Sequence, residues 1–174
     1  MLGRDLTAGL TLINADSKAL RLLSEQPEAF EKEYSLSIAP DYNAFPEALI
    51  YVARLLESGA VDPRWWMYFF VLREESLLVG IGGFKGEPGK EGAVEIGYGI
   101  APAFQGKGLA TRAAGMLVEI ARRDARVNLI RAHTLPGFGP SAKVLQKNGF
   151  TLIGEKIDPD DGAVWRWERP AKLT

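Results

Sequence analysis

Apolar residues along this chain recur first with the period of helices, then with the period of strands, and then alternate between the two. "LTLIN" reads as a short strand, and Asp16 stands as an N-cap before a helix carrying Leu20, Leu22 and Leu23. Pro27 opens a second helix to about Glu33. "SLSIAPDYNAFP" is a loop by its turn residues, and "EALIYVARLLESG" places Leu49, Val52, Ala53 and Leu56 on one helical face before Gly59 ends it. Then come three aromatic and β-branched runs, "WWMYFFVLR", "SLLVGIGGFKG" and "GAVEIGYGIA", separated by the turn clusters "EES" and "EPGKEG". They predict three antiparallel strands joined by hairpins. The next helix carries Leu109, Ala113, Met116, Leu117 and Ile120 on its apolar face, with Lys107, Arg112, Arg122 and Arg123 in solvent. "NLIRAHTL" predicts a strand, "PSAKVLQKN" a short helix ending at Gly149, and "FTLIGEKI" with "AVWRWER" a last hairpin. The order predicts an α/β (α+β) fold, a mixed and mostly antiparallel central sheet flanked by helices. Without a repeat or a linker, residues 1–174 read as a single domain.

Composition narrows the chemistry. The chain has 174 residues, 47% of them hydrophobic and 25% charged, enough for one filled core. No cysteine is present, which excludes disulfides, thiolate metal sites and a cysteine nucleophile, and suits a reducing cytoplasm. The residues after Met1 lack the basic start, long apolar run and cleavage site of a secretory signal, and no stretch is long enough to span a bilayer. A cytoplasmic protein without a membrane partner is expected. No metal-ligand spacing occurs. Among Trp65, Trp66, Trp165 and Trp167, core and interface roles both stay open, as do monomer and homodimer.

The net charge of −1 conceals an asymmetry. Glu25 to Asp62 holds eight acidic residues against Lys32 and Arg54, whereas Ala101 to Gly149 holds eight basic residues against Glu119 and Asp124. An anionic ligand is expected near the basic stretch, and a cationic one near the acidic stretch, with Glu28, Glu31 and Glu33 bordering it. No basic run interleaved with aromatics appears, so nucleic acid is not an expected partner.

"IAPAFQGKGLATRAAGMLVEIA" joins the third predicted strand to the long helix. A nucleotide P-loop needs Gly-x-x-x-x-Gly-Lys-Ser/Thr, but here the lysine lies between glycines two apart and leucine follows. A dinucleotide fingerprint needs a third glycine or alanine where Thr111 stands, and an acidic end to the next strand, which reads "RAHTL". What remains is a glycine turn opening a helix, whose exposed amides and dipole suit a pyrophosphate. Bulk at Gly106 or Gly108 is expected to exclude that ligand and leave the fold intact.

"IAPAFQGKGLA" resembles the Gln/Arg-x-x-Gly-x-Gly/Ala acyl-CoA motif of the GNAT N-acetyltransferase superfamily. "EIGYGI", "LIRAHTL" and "PSAKVLQKNGF" follow the order found in that family, closest to its ribosomal-protein N-terminal acetyltransferase (RimJ/RimL-like) branch. The resemblance implies a GNAT fold and acetyl transfer from acetyl-CoA to a primary amine, on a small molecule or a peptide N-terminus, by direct attack in a ternary complex. It places the pyrophosphate on the turn Gln105, Gly106, Lys107, Gly108, Leu109, Ala110 and Thr111, and the pantetheine arm along Ile100 and Ala101. Ser141 and Lys143 are the implied contacts from the next helix.

Attack on a thioester needs a neutral amine, a site for the oxyanion and a proton for the thiolate. Similar sequences use a glutamate at the place of Glu95 to deprotonate the amine through water. By alternation Glu95 shares a face with Gly97 and Gly99, opposite Val94, Ile96 and Tyr98. Tyr98 has at most a supporting role, and His133, the only histidine, is a structural residue or a substrate-side contact. Ser141 is a second catalytic candidate or a helix N-cap. Phe138 stands where relatives commonly carry asparagine, and Leu145 where many carry a tyrosine acid. Those departures keep open a second reading, a non-catalytic acyl-CoA-binding or regulatory module.

Overall fold

The computed structural model describes residues 6–42 and 45–172, and its chain divides into two compact units. The first takes residues up to Gly83 together with Tyr98–Ala113, the second Phe84–Gly97 and the chain from Ala114. Residues 43–44 of the predicted loop lie outside the described residues.

In the first unit β1 (Leu10–Asn14), β3 (Met67–Leu72) and β4 (Leu77–Phe84) form an antiparallel sheet. Its helices are α1 (Ser17–Glu25), α2 (Pro27–Tyr34) and α3 (Pro46–Glu57). Asp16 caps α1, its carboxylate accepting from the Ala19 amide at 2.7 Å, and Pro27 supplies the first turn of α2, as their places in the sequence predict. Alternation along β3 sends Phe69 and Val71 into the same cluster as Leu20, Leu23, Phe30 and Leu49. Phe30 sits at its centre, stacked on Tyr34 and edge-on to Phe69 at 5.4 Å. A two-pronged ion pair, Arg21 to Glu57 at 2.6 and 2.8 Å, ties α1 to α3.

Within the predicted loop a two-residue strand, β2 (Ser37–Ile38), lies parallel to β4. Two residues carry too short a pattern to be read. The Ile38 amide donates to Glu31 at 2.7 Å, and Lys18 pairs with Glu33. Two of the three carboxylates expected to border a cationic ligand are therefore engaged in holding this unit together.

The second unit contains the first part of β5 (Ala93–Ile100), β6 (Leu129–Thr134), β7 (Thr151–Asp158) and β8 (Gly162–Pro170). β5 and β6 pair in parallel over Ala93–Leu129, Val94–Ile130 and Glu95–Arg131, while β8 runs antiparallel to both β6 and β7. The parallel pair needs a crossover, which α4 (Leu109–Arg122) supplies. The buried positions of α4 are Leu109, Ala113, Ala114, Leu117, Val118 and Ala121, so Met116 and Ile120 stand at the edge of the apolar face rather than at its centre. α5 (Pro140–Lys147) follows β6. Gly139 occupies its cap position and Ser141 lies in the first turn, so the N-cap reading of Ser141 does not hold. Trp65 and Trp167 are fully buried core residues.

Gly80 marks a tight place in the first unit. A Cβ there would stand 2.5 Å from the Gly99 carbonyl and 2.9 Å from both Ile100 and Phe70. Only glycine lets the strand ending at Ile100 approach β4 this closely. Gly80→Ala is expected to lower unfolding stability by about 1–3 kcal/mol, read as a reduced urea midpoint with an unchanged slope.

Candidate active site

Ile100, Ala101 and the turn from Gln105 to Thr111 all fall in the first unit. The Ala101 amide donates to the Val79 carbonyl at 2.8 Å, so odd-numbered backbone groups at the end of β5 face β4. The Ile100 amide consequently points to the opposite edge, and its carbonyl accepts from the Gln105 side-chain amide at 3.0 Å. A short 3-10 turn, Pro102–Phe104, follows. The Gln105 amide donates back to Pro102 at 3.2 Å, which removes it from the set of amides expected to meet the pyrophosphate.

The set begins one residue later. Gly106 and Gly108 have φ of +72° and +78°, the left-handed region where L side chains are strained, so their first role is to let the chain turn. Replacement at either glycine therefore strains the turn whatever the ligand does. A Cβ at Gly106 meets nothing within 4 Å, which leaves the turn open above its amides. α4 starts at Leu109 directly after this turn, the Arg112 amide donating to the Gly108 carbonyl at 3.0 Å. Lys107 folds back, its ammonium donating to the Ala103 carbonyl at 2.9 Å and lying 4.8 Å from the centre of the Phe104 ring. An open glycine turn leading into a helix start, with one nearby ammonium, fits a pyrophosphate.

Glu95, Ser141 and Lys143 fall in the second unit. Glu95 is 24% exposed, and its Oε1 meets Lys85 Nζ at 2.5 Å and His133 Nδ1 at 3.0 Å. Lys85 lies opposite it in the antiparallel pairing, its amide donating to the Glu95 carbonyl at 3.0 Å. Burial alone would raise the Glu95 pKa, but the hydrogen bonds and charges of Lys85 and His133 outweigh it and hold the carboxyl below its ordinary value. Both partners were missed in the sequence: nothing in a single strand shows which residues its neighbours set beside it. Burial pushes the Tyr98 hydroxyl up, so it stays protonated at neutral pH. Ser141 and Lys143 are both exposed on the first turn of α5. Leu145 is fully buried, whereas Phe138 is 60% exposed and packs edge-on against Trp165 at 5.0 Å.

Beside Glu95 on the same face lies a second carboxylate with two cations. Glu168 Oε1 accepts from Arg131 Nε and from Arg166 Nε, each at 2.8 Å. Burial raises its pKa and the two guanidiniums lower it further than burial raises it.

Residues 11–151 match the acetyltransferase (GNAT) domain family, and the chain belongs to that family. It is 28% identical over 135 residues to a probable N-acetyltransferase, YjcK, of Bacillus subtilis, covering 78% of this chain and 74% of the relative. It is also 28% identical over 148 residues to an uncharacterized N-acetyltransferase of the same organism, YjdG, covering 84% and 88%. The ribosomal-protein-S5-alanine acetyltransferase of Vibrio fischeri superimposes with a TM-score of 0.66 at 17% identity, over 94% of each chain. The microcin C7 self-immunity acetyltransferase MccE, solved with acetyl-CoA and AMP, superimposes with a TM-score of 0.67 at 15% identity, over 95% of this chain and 94% of that one. The fold is the mixed, mostly antiparallel α/β fold of these proteins, and the chain is an acetyl-CoA-dependent acetyltransferase.

A lowered carboxylate pKa contributes stability above the ordinary glutamate value of 4.5 and loses it as pH falls through the folded value. Glu168→Gln is expected to cost about 1.5–3 kcal/mol at neutral pH, because two guanidiniums lose an ionised acceptor. The difference from the wild type should shrink as denaturation is repeated below pH 4.5.

Proposed function

We propose that the chain transfers the acetyl group of acetyl-CoA to a primary amine, on a small molecule or a peptide N-terminus, by direct attack in a ternary complex. The observation that carries this reading is the left-handed glycine turn at Gly106 and Gly108, open above its amides and leading straight into α4. The amides of Gly106 to Thr111 hold the pyrophosphate, with the helix dipole contributing ~0.3–2 kcal/mol. The Ile100 amide, facing away from β4, takes the edge of the pantetheine arm as an added strand would. Ala101 serves by anchoring that edge to β4. Ser141 and Lys143 supply further contacts to the cosubstrate from α5.

When bound, acetyl-CoA supplies an activated acyl carbon. The protein's own part is to hold it, to admit an amine and to move that amine's proton, which we assign to Glu95. The likeness to the S5-alanine acetyltransferase supports the RimJ/RimL-like branch. The lack of cysteine supports a cytoplasmic location. We also read residues 1–174 as one working domain, since β4, β5 and α4 each contribute residues to both units.

Gly106→Ala places a methyl over the amides and adds left-handed strain of about 1–2 kcal/mol. Calorimetry should show CoA affinity falling at least tenfold, roughly the 1.4 kcal/mol that a tenfold change represents, while circular dichroism stays that of a folded chain. Unchanged affinity in the folded variant would remove the cradle. The chemical half is tested by thiol release from acetyl-CoA across a panel of polyamines, aminoglycosides and peptides with free N-termini. Thiol release should appear with one class of amine, and its identity names the acceptor.

A further inference from the structure

We infer that Gln105 is a positioning residue for the arm of the cosubstrate and not a ligand of its pyrophosphate: by capping the Ile100 carbonyl it leaves the free edge of β5 with a donor, so that the arm docks there through an amide carbonyl. The inference deepens the function proposed above and rests on its placing of the arm along Ile100. Both residues belong to the first unit, which also carries the glycine turn.

The contact is dictated by a short piece of chain. Pro102 opens a single 3-10 turn, in which the Phe104 amide donates to the Ala101 carbonyl at 2.8 Å and the Gln105 amide to the Pro102 carbonyl at 3.2 Å. That turn brings Gln105 back to the strand the chain has just left, and its side-chain amide donates to the Ile100 carbonyl at 3.0 Å. Lys107, the other long polar side chain here, goes to the Ala103 carbonyl at 2.9 Å and does not compete for Ile100. A glutamine has one backbone N–H and two on its side chain. The backbone donor and one side-chain donor are thus spent inside the turn, and the side-chain oxygen is an acceptor that no phosphate attracts.

The carbonyl that Gln105 takes lies on the edge an added strand would use. Within a strand the amide and carbonyl of one residue point to the same edge. Gly99 and Ala101 direct theirs at β4: the Gly99 carbonyl lies 2.5 Å from where a Cβ of Gly80 would stand, and the Ala101 amide donates to Val79 at 2.8 Å. Ile100, between them, turns both of its groups the other way. The pairing of β5 with β6 ends at Glu95 and Arg131, short of this residue.

An edge showing both donor and acceptor would meet a peptide-like arm by its N–H or by its carbonyl, in different registers. With the Ile100 carbonyl bonded to Gln105, the N–H is what this edge has left to offer, and it selects an amide oxygen of the arm. Pantetheine carries two amides and so presents such oxygens.

Calorimetry on the whole chain separates arm from pyrophosphate by comparing CoA with 3′-phospho-ADP, which keeps the pyrophosphate and lacks the arm. Gln105→Met retains the side-chain length and removes the donor. It should weaken CoA about threefold to tenfold, the worth of one hydrogen bond, and leave 3′-phospho-ADP binding unchanged. Gln105→Asn keeps the amide on a side chain one carbon shorter and should do the same, which covers a methionine variant that fails to fold. A merely structural role would move both ligands together, because the loosened turn is the one that carries the pyrophosphate. The carbonyl carbon-13 resonance of Ile100 should also shift in the variant before any ligand is added. Equal losses for the two ligands assign Gln105 to the pyrophosphate and overturn the inference. CoA binding that is unchanged or tighter in the variants overturns it alone, whereas a wild type that binds neither ligand overturns the cradle together with it.

Discussion

The register of β5 is the constraint from which the chemistry of this protein follows. Hydrogen bonds from Lys85 to the Glu95 carbonyl and from Ala101 to the Val79 carbonyl commit the odd-numbered backbone groups of the strand to β4. The Ile100 amide is left on the other edge, and Glu95 is set on the face shared with Arg131 and His133. A slip of one residue would exchange both, turning the Ile100 amide into β4 and the carboxylate into the apolar side occupied by Val94 and Ile96. The bare face of Gly80 is what permits this close approach, because any side chain there would meet the Gly99 carbonyl.

Charge on the second unit obeys one rule. Glu95 and Glu168, two half-buried carboxylates on the sheet face, each have two nitrogen partners, Lys85 and His133 at Glu95, Arg131 and Arg166 at Glu168. A half-buried carboxylate with a single or absent partner would carry a desolvation penalty that its neighbours did not offset. The two groups differ in their partners. Glu168 is paired with two guanidiniums and is structural, whereas Glu95 is paired with an ammonium and an imidazole.

Much of the architecture was legible in the chain. Asp16 and Pro27 start helices where their types predict, and β1, β3 to β8 and α1 to α5 fall on the periodic segments. The glycine turn was legible because it is local: two glycines, a lysine and a following helix suffice to describe an anion site without knowing any neighbour. β2 was not legible, since two residues carry no period, and Ser141 lies two positions past the N-cap because Gly139 caps α5 and Pro140 starts it.

What the sequence determined by itself is therefore the set of elements, the cradle and the family resemblance that goes with it, all properties of residues close together along the chain. What only the tertiary structure decided is which side chains meet. His133 and Glu95 lie 38 positions apart and Lys85 follows the end of β4, so their convergence depends on the parallel pairing of β5 with β6 and on the hydrogen bond from the Lys85 amide to the Glu95 carbonyl. The physical reason is that a strand's own pattern specifies which face a residue takes, while the identity of its neighbour on that face is set by pairing and register, and those are properties of the sheet.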